Sequence, residues 1–227
     1  MVRISTFSSL PLNPALLRGI HDLKYTEATP VQAMAIPPAL AGRDVLASAP
    51  TGSGKSAAFG LPVLEALLAA TPRETSALIL APTRELAQQI TAHLTQLAKY
   101  TKIRIAAIHG GVGMGPQIQA FRRGTEIIVA TPGRLIDLMQ QGAARLDRVG
   151  ILVLDEADRM LDMGFLPPVR RIIAALPARR QTLFFSATIA GAAATLANEL
   201  LNDAVRVNLA PTSAPVETVA QSMYAVD

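Results

Sequence analysis

The sequence contains no cysteine among its 227 residues. That excludes disulfides and thiolate metal sites, and it suits a reducing compartment. Histidine is scarce too: His21, His93 and His109 lie far apart and show no metal-ligand spacing. Charged residues make up only 17% against 50% hydrophobic, so the chain is not of the disordered class. No apolar run approaches the roughly 20 residues needed to span a bilayer. The opening stretch MVRISTFSSLPLNP lacks the long apolar core of a signal peptide. There is no internal repeat and no low-complexity tract. The expectation is a soluble, cytoplasmic, globular protein with no membrane partner. Its length allows one large domain or two small ones. The net charge of +4 is mildly basic, which permits an anionic partner without demanding one.

Short apolar runs alternate with amphipathic segments along nearly the whole chain. The predicted strands are DVLAS (44–48), ALILA (77–81), RIAAI (104–108), EIIVA (126–130), GILVL (150–154), TLFFS (182–186) and VRVNL (205–209). Their apolar residues are consecutive, not alternate, as in parallel strands covered on both faces. Helix starts are marked by Asn13-Pro14, Thr29-Pro30 and Thr131-Pro132, each a cap residue followed by proline at the first helical position. TRELAQQITAHLTQLAKY reads as a long amphipathic helix. Alternating β and α elements predict a doubly wound α/β domain with a mainly parallel sheet of about seven strands and helices on both faces. The domain is expected to span residues 1–210. Residues 211–227, richer in Pro, Ser and Thr, read as the start of a connector.

Two stretches carry chemistry. In GILVLDEAD (150–158) a buried strand ends abruptly in acids, at the sheet edge where ligands bind in open α/β folds. In APTGSGKS (49–56) a glycine-rich turn lies between a strand and a helical pattern, the setting of a phosphate-binding P-loop. Ala49 stands where that pattern usually has its first glycine. Gly52 and Gly54 let backbone N–H groups curl toward phosphate oxygens, and the helix start adds its positive end. Lys55 would reach the β- and γ-phosphates, and the Ser56 hydroxyl would ligate Mg²⁺. Asp155 would then hold the metal or its waters, and Glu156 would orient and deprotonate an attacking water. A turn without ligands and a solvated acidic loop are the plainer alternatives, weakened by the two motifs occurring together.

With TPVQ (29–32), PTRELAQQI (82–90), GG (110–111), TPGR (131–134), the DEAD sequence at 155–158 and SAT (186–188), the chain resembles the DEAD-box ATP-dependent RNA helicases. RMLDMGF (159–165) is similar to the RhlE-like bacterial branch. The resemblance covers Phe7 to Asp227 and implies a RecA-like P-loop domain with its Q motif region at residues 5–33, and ATP with Mg²⁺ as cofactors. It implies an adenine site in which Gln32 reads the base edge and Tyr25 stacks on the base. Phe7 behind Tyr25 is either a buttress or simple core packing. The family usually has glycine where Lys24 stands. Thr51, Gly52, Ser53, Gly54, Lys55 and Ser56 would form the phosphate site. Asp155 and Ser56 would serve the metal, with Glu156, Asp155 and Lys55 catalytic.

The resemblance also implies RNA contacts by Pro82, Thr83, Arg84, Gly110, Gly111, Thr131, Pro132, Gly133 and Arg134. Such backbone contacts carry little sequence information. For Arg84 and Arg134, salt bridges to Glu85 and Asp137 are the competing reading. Asp158, Ser186, Ala187 and Thr188 would couple hydrolysis to RNA, with a helix cap as the alternative for the hydroxyls. The arginine-rich motif of the family's second RecA-like domain does not occur in the sequence. The chain is therefore expected to be an N-terminal domain that binds nucleotide, hydrolyses it poorly and needs a C-terminal RecA-like domain as partner. RNA-processing or ribosome-assembly proteins would be further partners. The functional alternatives are a P-loop ATPase acting on DNA or protein, and a non-catalytic nucleotide-dependent binding module.

Overall fold

Apolar residues at successive strand positions need a covered surface on both sides of the sheet. A computed structural model of the chain, which describes residues 6–70 and 74–209, shows how that is met. Seven strands form one sheet in the order β3-β4-β2-β5-β6-β1-β7. They are β1 (Val45–Ser48), β2 (Ala77–Leu80), β3 (Ile105–Ile108), β4 (Ile127–Ala130), β5 (Ile151–Leu154), β6 (Gln181–Ser186) and β7 (Val205–Asn208). Every pairing is parallel. All seven predicted strands are present within a residue or two of the expected bounds, and the expected architecture holds.

Successive side chains of each strand leave the sheet on opposite faces. Val45, Ala47, Ile79, Val129, Val153 and Phe185 enter one core with α1 (Pro14–Asp22), α2 (Pro30–Leu40), α3 (Lys55–Ala70) and α4 (Arg84–Leu97). Leu46, Leu78, Leu80, Ile128, Leu154 and Phe184 enter the other. That face is covered by α5 (Met114–Arg122), α6 (Pro132–Gln140), α7 (Ala157–Asp162), α8 (Leu166–Ala174) and α9 (Gly191–Leu200). The inner strands are buried apart from Ser48 and Gln181 at strand ends, edge strand β3 is partly exposed, and β7, whose VRVN alternates instead of running apolar, turns Arg206 and Asn208 to solvent.

The helices start at Pro14, Pro30 and Pro132 as expected, but of their three cap residues Thr29 and Thr131 make no side-chain cap bond. The Asn13 side chain accepts from the Ala15 N–H at 2.9 Å, and the Thr83 hydroxyl accepts from the Leu86 N–H at 3.2 Å. In α2, however, Pro37 and Pro38 lie inside the helix. Neither can donate to the preceding turn, which by propensity alone would end the helix there. Burial of Val31, Ala35, Ile36 and Ala39 carries it through, and the Gln181 amide donates to the Ala39 and Arg43 carbonyls at 2.8 Å each.

Core positions are expected for Met34, Met160 and Met163 from their character as gap-filling side chains. Met160 is fully buried and Met34 packs against the core, but Met163 is half exposed. The reason is that α7 ends at Asp162, so Met163 sits in the turn where the chain leaves the core. The connector expected at 211–227 lies outside the described residues.

Candidate active site

The sheet order divides the carboxyl edge into two halves. β5, β6 and β1 are neighbours, so the DEAD, SAT and P-loop segments that follow them lie side by side. β3, β4 and β2 are also neighbours, so the GG, TPGR and PTRELAQQI segments form the other half. The P-loop and DEAD strands are two strand spacings apart, about 10 Å.

The P-loop is built by its glycines. Gly54 has φ +95°, and a Cβ there would lie 2.4 Å from Gln32 Nε2. Only glycine combines that backbone with so close a neighbour. Lys55 is buried and donates Nζ to the Ala49 carbonyl at 3.0 Å, across the loop's own mouth. Ala49, in place of the usual glycine, is itself buried.

Facing it are the acids. Asp155 is 2% exposed, and its Oδ1 accepts from the Glu156 N–H at 3.0 Å. Burial pushes its carboxyl up to about 6. The positive charge of Lys55 opposes that rise, and Glu156 and Asp158 add to it. Lys55 and Asp155 therefore share one electrostatic environment, as a common magnesium–triphosphate ligand requires. Glu156 adopts a left-handed backbone, φ 49° and ψ 49°, which costs on the order of 1–2 kcal/mol for a residue with a Cβ. Both of its carboxylate oxygens are engaged: Thr51 Oγ1 donates at 3.4 Å and Arg159 Nη1 at 3.1 Å.

Asp158 faces the SAT segment. Its Oδ2 accepts from the Thr188 N–H and hydroxyl, both at 2.8 Å, and its Oδ1 from the Arg159 N–H at 3.0 Å. Burial alone would raise its pKa, but these donors outweigh it and hold the carboxyl below the usual range. Ser186 Oγ accepts from the Asp158 N–H at 3.2 Å and donates to the Thr188 carbonyl at 2.7 Å. The Ser186 and Thr188 hydroxyls thus bind Asp158 directly. Neither is the cap residue of the helix that follows, since α9 starts later, at Gly191, with Ala190 at its cap position; Ser186 instead meets an N–H in the first turn of α7. Ala187 contributes its carbonyl, which accepts from Ser48 Oγ at 3.2 Å.

The Q region lies against the P-loop. Gln32 is buried; its Oε1 accepts from the Thr29 N–H at 2.9 Å and its Nε2 donates to the Gly54 carbonyl at 3.0 Å. Tyr25 stacks on Phe7 with centroids 6.1 Å apart, and its hydroxyl meets His93 Nε2 at 3.1 Å. Phe7 is also fully in the core, so buttress and core packing hold together. Lys24 takes φ 57°, the conformation a glycine would supply at that position.

In the other half, Arg84 is ion-paired with Glu85, and both are exposed. Arg134 is drawn inward: Nη1 donates to the Val112 carbonyl at 3.0 Å, and Nε is 3.8 Å from Asp137. The salt-bridge readings for both arginines describe the geometry seen. Thr83 caps α4; Thr131 precedes α6 without a side-chain cap bond. Pro82 and Pro132 are buried, whereas Gly111 and Gly133 are exposed and Gly110 is half-buried. Open space surrounds Gly110 and Gly133 on the side a Cβ would take.

Does this site fit Mg²⁺ and a nucleoside triphosphate? Among the described residues no cluster of three or more His, Asp or Glu is arranged to hold a metal. One buried carboxylate, Asp155, and one hydroxyl, Ser56, suit a magnesium that takes its other oxygens from phosphate and water. The buried acid with a raised pKa, facing a lysine that bonds only its own loop, is a site short of cation and anion together. The residues fit the pair.

A family model described as DEAD/DEAH box helicase matches residues 29–196. The chain belongs to this family. Within it, the ATP-dependent RNA helicase SrmB of Escherichia coli (strain K12) is 45% identical over 229 residues, covering 99% of this chain and 51% of that protein. The ATP-dependent RNA helicase RhlB of Pseudomonas aeruginosa (strain UCBPP-PA14) is 43% identical, covering 97% and 58%. A crystal structure of a DEAD box protein from the hyperthermophile Methanococcus jannaschii superposes with a TM-score of 0.84 at 36% identity, over 89% of this chain and 55% of that one. The chain spans about half the length of the curated relatives it matches.

Some contacts of this DEAD-box domain were not anticipated from sequence. Arg159 on Glu156 could have been found, because they lie three positions apart at a helix start. Thr51 on Glu156, and the bonds of His109 to Gln88 and Gln117, join separate elements of the chain and carried no local signal. No helix among the described residues is long and apolar enough to cross a membrane.

Proposed function

We propose that this chain is the ATP-binding and RNA-binding N-terminal RecA-like domain of an ATP-dependent RNA helicase that hydrolyses ATP to ADP and phosphate and locally opens RNA duplexes. The carrying observation is the shared environment of Lys55 and the buried Asp155, with Glu156 and Thr51 in contact beside them. Magnesium, when bound, neutralises phosphate charge and orients the triphosphate. The chain's own groups do the rest. Lys55 leaves the Ala49 carbonyl for the phosphates, and the N–H groups of residues 51–56 line the cradle. Asp155 and Ser56 hold the cation. Glu156, released from one of its two present partners, takes the proton of the attacking water.

Adenine selection by Gln32 requires its amide to exchange the Gly54 carbonyl for the base edge, with Tyr25 stacking on the ring. Asp158, Ser186, Ala187 and Thr188 link hydrolysis to RNA held at residues 82–84, 110–111 and 131–134. The RNA is gripped largely through its backbone, so binding is little dependent on sequence. A C-terminal RecA-like partner domain supplies the arginines that phosphoryl transfer needs, worth roughly 10³–10⁵ in rate. This chain by itself is accordingly a nucleotide binder of low hydrolytic activity. Its place is the cytoplasm, with RNA-processing or ribosome-assembly proteins as partners.

The exchange Glu156→Gln tests the reading in a protein that carries both domains. RNA-stimulated ATP hydrolysis should fall at least about a hundredfold, in line with loss of a general base, while the affinity for an ATP analogue stays within about twofold. Retained hydrolysis would remove Glu156 from the chemistry. Stimulation by DNA and not by RNA would favour the DNA-acting alternative.

A further inference from the structure

The RNA half of the edge depends on a segment, His109 to Gly113, in which three of five residues are glycine. A chain of this composition is the most costly to hold in one shape. Yet four of its five residues, His109, Gly110, Val112 and Gly113, take part in hydrogen bonds. The Gln117 amide closes the segment from below: Oε1 accepts from the His109 N–H at 3.1 Å, and Nε2 donates to the His109 and Gly113 carbonyls, each at 3.2 Å. Arg134 takes the Val112 carbonyl at 3.0 Å. The remaining restraint is His109 itself, buried just after β3, with Nδ1 2.9 Å from the Gly110 carbonyl and Nε2 3.1 Å from Gln88 Nε2.

A carbonyl oxygen only accepts, so His109 Nδ1 must carry the proton. In the neutral ring Nε2 is then the acceptor, and the Gln88 amide donates to it. Both ring nitrogens are thereby committed, one to the glycine loop and one to α4. Gln88 lies four residues after Arg84, on the same face of α4. The imidazole therefore ties the loop after β3 to the helix whose first residue faces the same half of the edge.

We propose that His109 is a positioning residue for RNA: through its Nδ1–H tautomer it fixes Gly110 relative to α4, so that the glycine loop is ordered before RNA arrives. This rests on the RNA-binding reading above. An ordered loop spares the complex the entropy of ordering it. Loss of one such restraint is expected to weaken binding by roughly five- to tenfold, within what one net hydrogen bond is worth.

The test uses this chain with His109→Ala, His109→Asn and Gln88→Ala. An asparagine amide nitrogen falls near the Nδ1 position and keeps the bond to Gly110, but it cannot reach Gln88. Affinity for a single-stranded RNA oligonucleotide is read by fluorescence anisotropy, and affinity for a fluorescent ATP analogue by titration. Ring ¹⁵N shifts report the tautomer in the unaltered chain. Expected are a protonated Nδ1, a loss of RNA affinity of roughly five- to tenfold in His109→Ala with nucleotide affinity unchanged, at least partial recovery in His109→Asn, and an intermediate loss in Gln88→Ala. RNA binding equal to the unaltered chain in His109→Ala, equal losses for RNA and nucleotide, or a proton on Nε2 instead of Nδ1 would each overturn the role. Should His109→Ala fail to fold, the tautomer and Gln88→Ala decide. An unaltered chain that binds nucleotide but no RNA would overturn the underlying RNA reading as well, an outcome distinct from RNA binding that ignores His109.

Discussion

Asp155 is the residue at which stability and function pull apart. Its carboxyl titrates at about 6 in the folded chain because burial disfavours the charge, against an ordinary value of 3.8. The folded state therefore binds more protons than the unfolded state between those values, and stability falls as pH rises through that window. At neutral pH the buried anion costs about 2–3 kcal/mol, since each tenfold weakening of acidity is worth about 1.4 kcal/mol. The exchange Asp155→Asn should thus stabilise the ligand-free chain at about pH 7, with the advantage over the unaltered chain vanishing by about pH 4. The same variant should lose magnesium-dependent nucleotide binding. Thermal unfolding of both proteins across roughly pH 4–8 checks this, and parallel curves would contradict the raised pKa. The acid was legible in the sequence because four apolar residues lead straight into it. Its energetic cost was not, because that depends on how deeply the folded chain buries it and on Lys55 arriving beside it to offset part of that burial.

Among the elements, edge strand β3 has a neighbour on one side only and is fastened by one side chain next to it. Arg104 donates Nε and Nη2 to the Glu126 carboxylate at 3.0 and 2.8 Å, Nη1 to the Arg123 carbonyl and Nη2 to the Gly124 carbonyl, each at 2.7 Å. This fastens β3 to the turn entering β4. Burial would raise the Glu126 pKa, but Arg104 and backbone donors hold it below the usual value. The stability the pair contributes is therefore present above about pH 4.5 and lost as the pH falls through the lowered value. Replacement Arg104→Ala leaves a largely buried carboxylate without its partner, and a loss of about 1–3 kcal/mol is expected. Hydrogen exchange should quicken in β3 and the glycine loop after it, while β1 and β5 keep their protection. Uniform quickening would show that β3 is not an independent unit. Helix α2 makes the same point from the other side. Its Thr29-Pro30 start was readable from sequence, whereas its passage through Pro37 and Pro38 depends on burial against α3, which no local rule anticipates.

For the whole molecule, nucleotide and magnesium are expected to act as one ligand, because Lys55 and Asp155 each lack what the other's ligand brings. Ligand that binds only the folded state at about a hundred times its dissociation constant adds about 2.7 kcal/mol. For a chain of this size that is a rise in Tm of roughly 5–10 °C. ATP with magnesium should produce the rise, chelation with EDTA should remove most of it, and Lys55→Ala should abolish it. An equal rise with and without magnesium would detach the Asp155–Ser56 pair from the nucleotide site.

The sequence by itself determined the seven strands, the capped helix starts, the P-loop and the acid cluster, because each is written in neighbouring residues whose periodicity, turn chemistry and charge act locally. It also marked Asp158, Ser186 and Thr188, whose hydrogen bonds the folded chain supplies. Only the tertiary structure decided the strand order, and with it the division of one sheet edge into a half after β5, β6 and β1 that gathers the P-loop and the acids, and a second half after β3, β4 and β2. It alone decided that Gln32 spends its amide on the P-loop, that Arg134 turns inward, and that His109 joins a loop to a helix. Those outcomes depend on which helix packs on which face, a matter of long-range burial and satisfied polar groups that no short stretch of residues encodes.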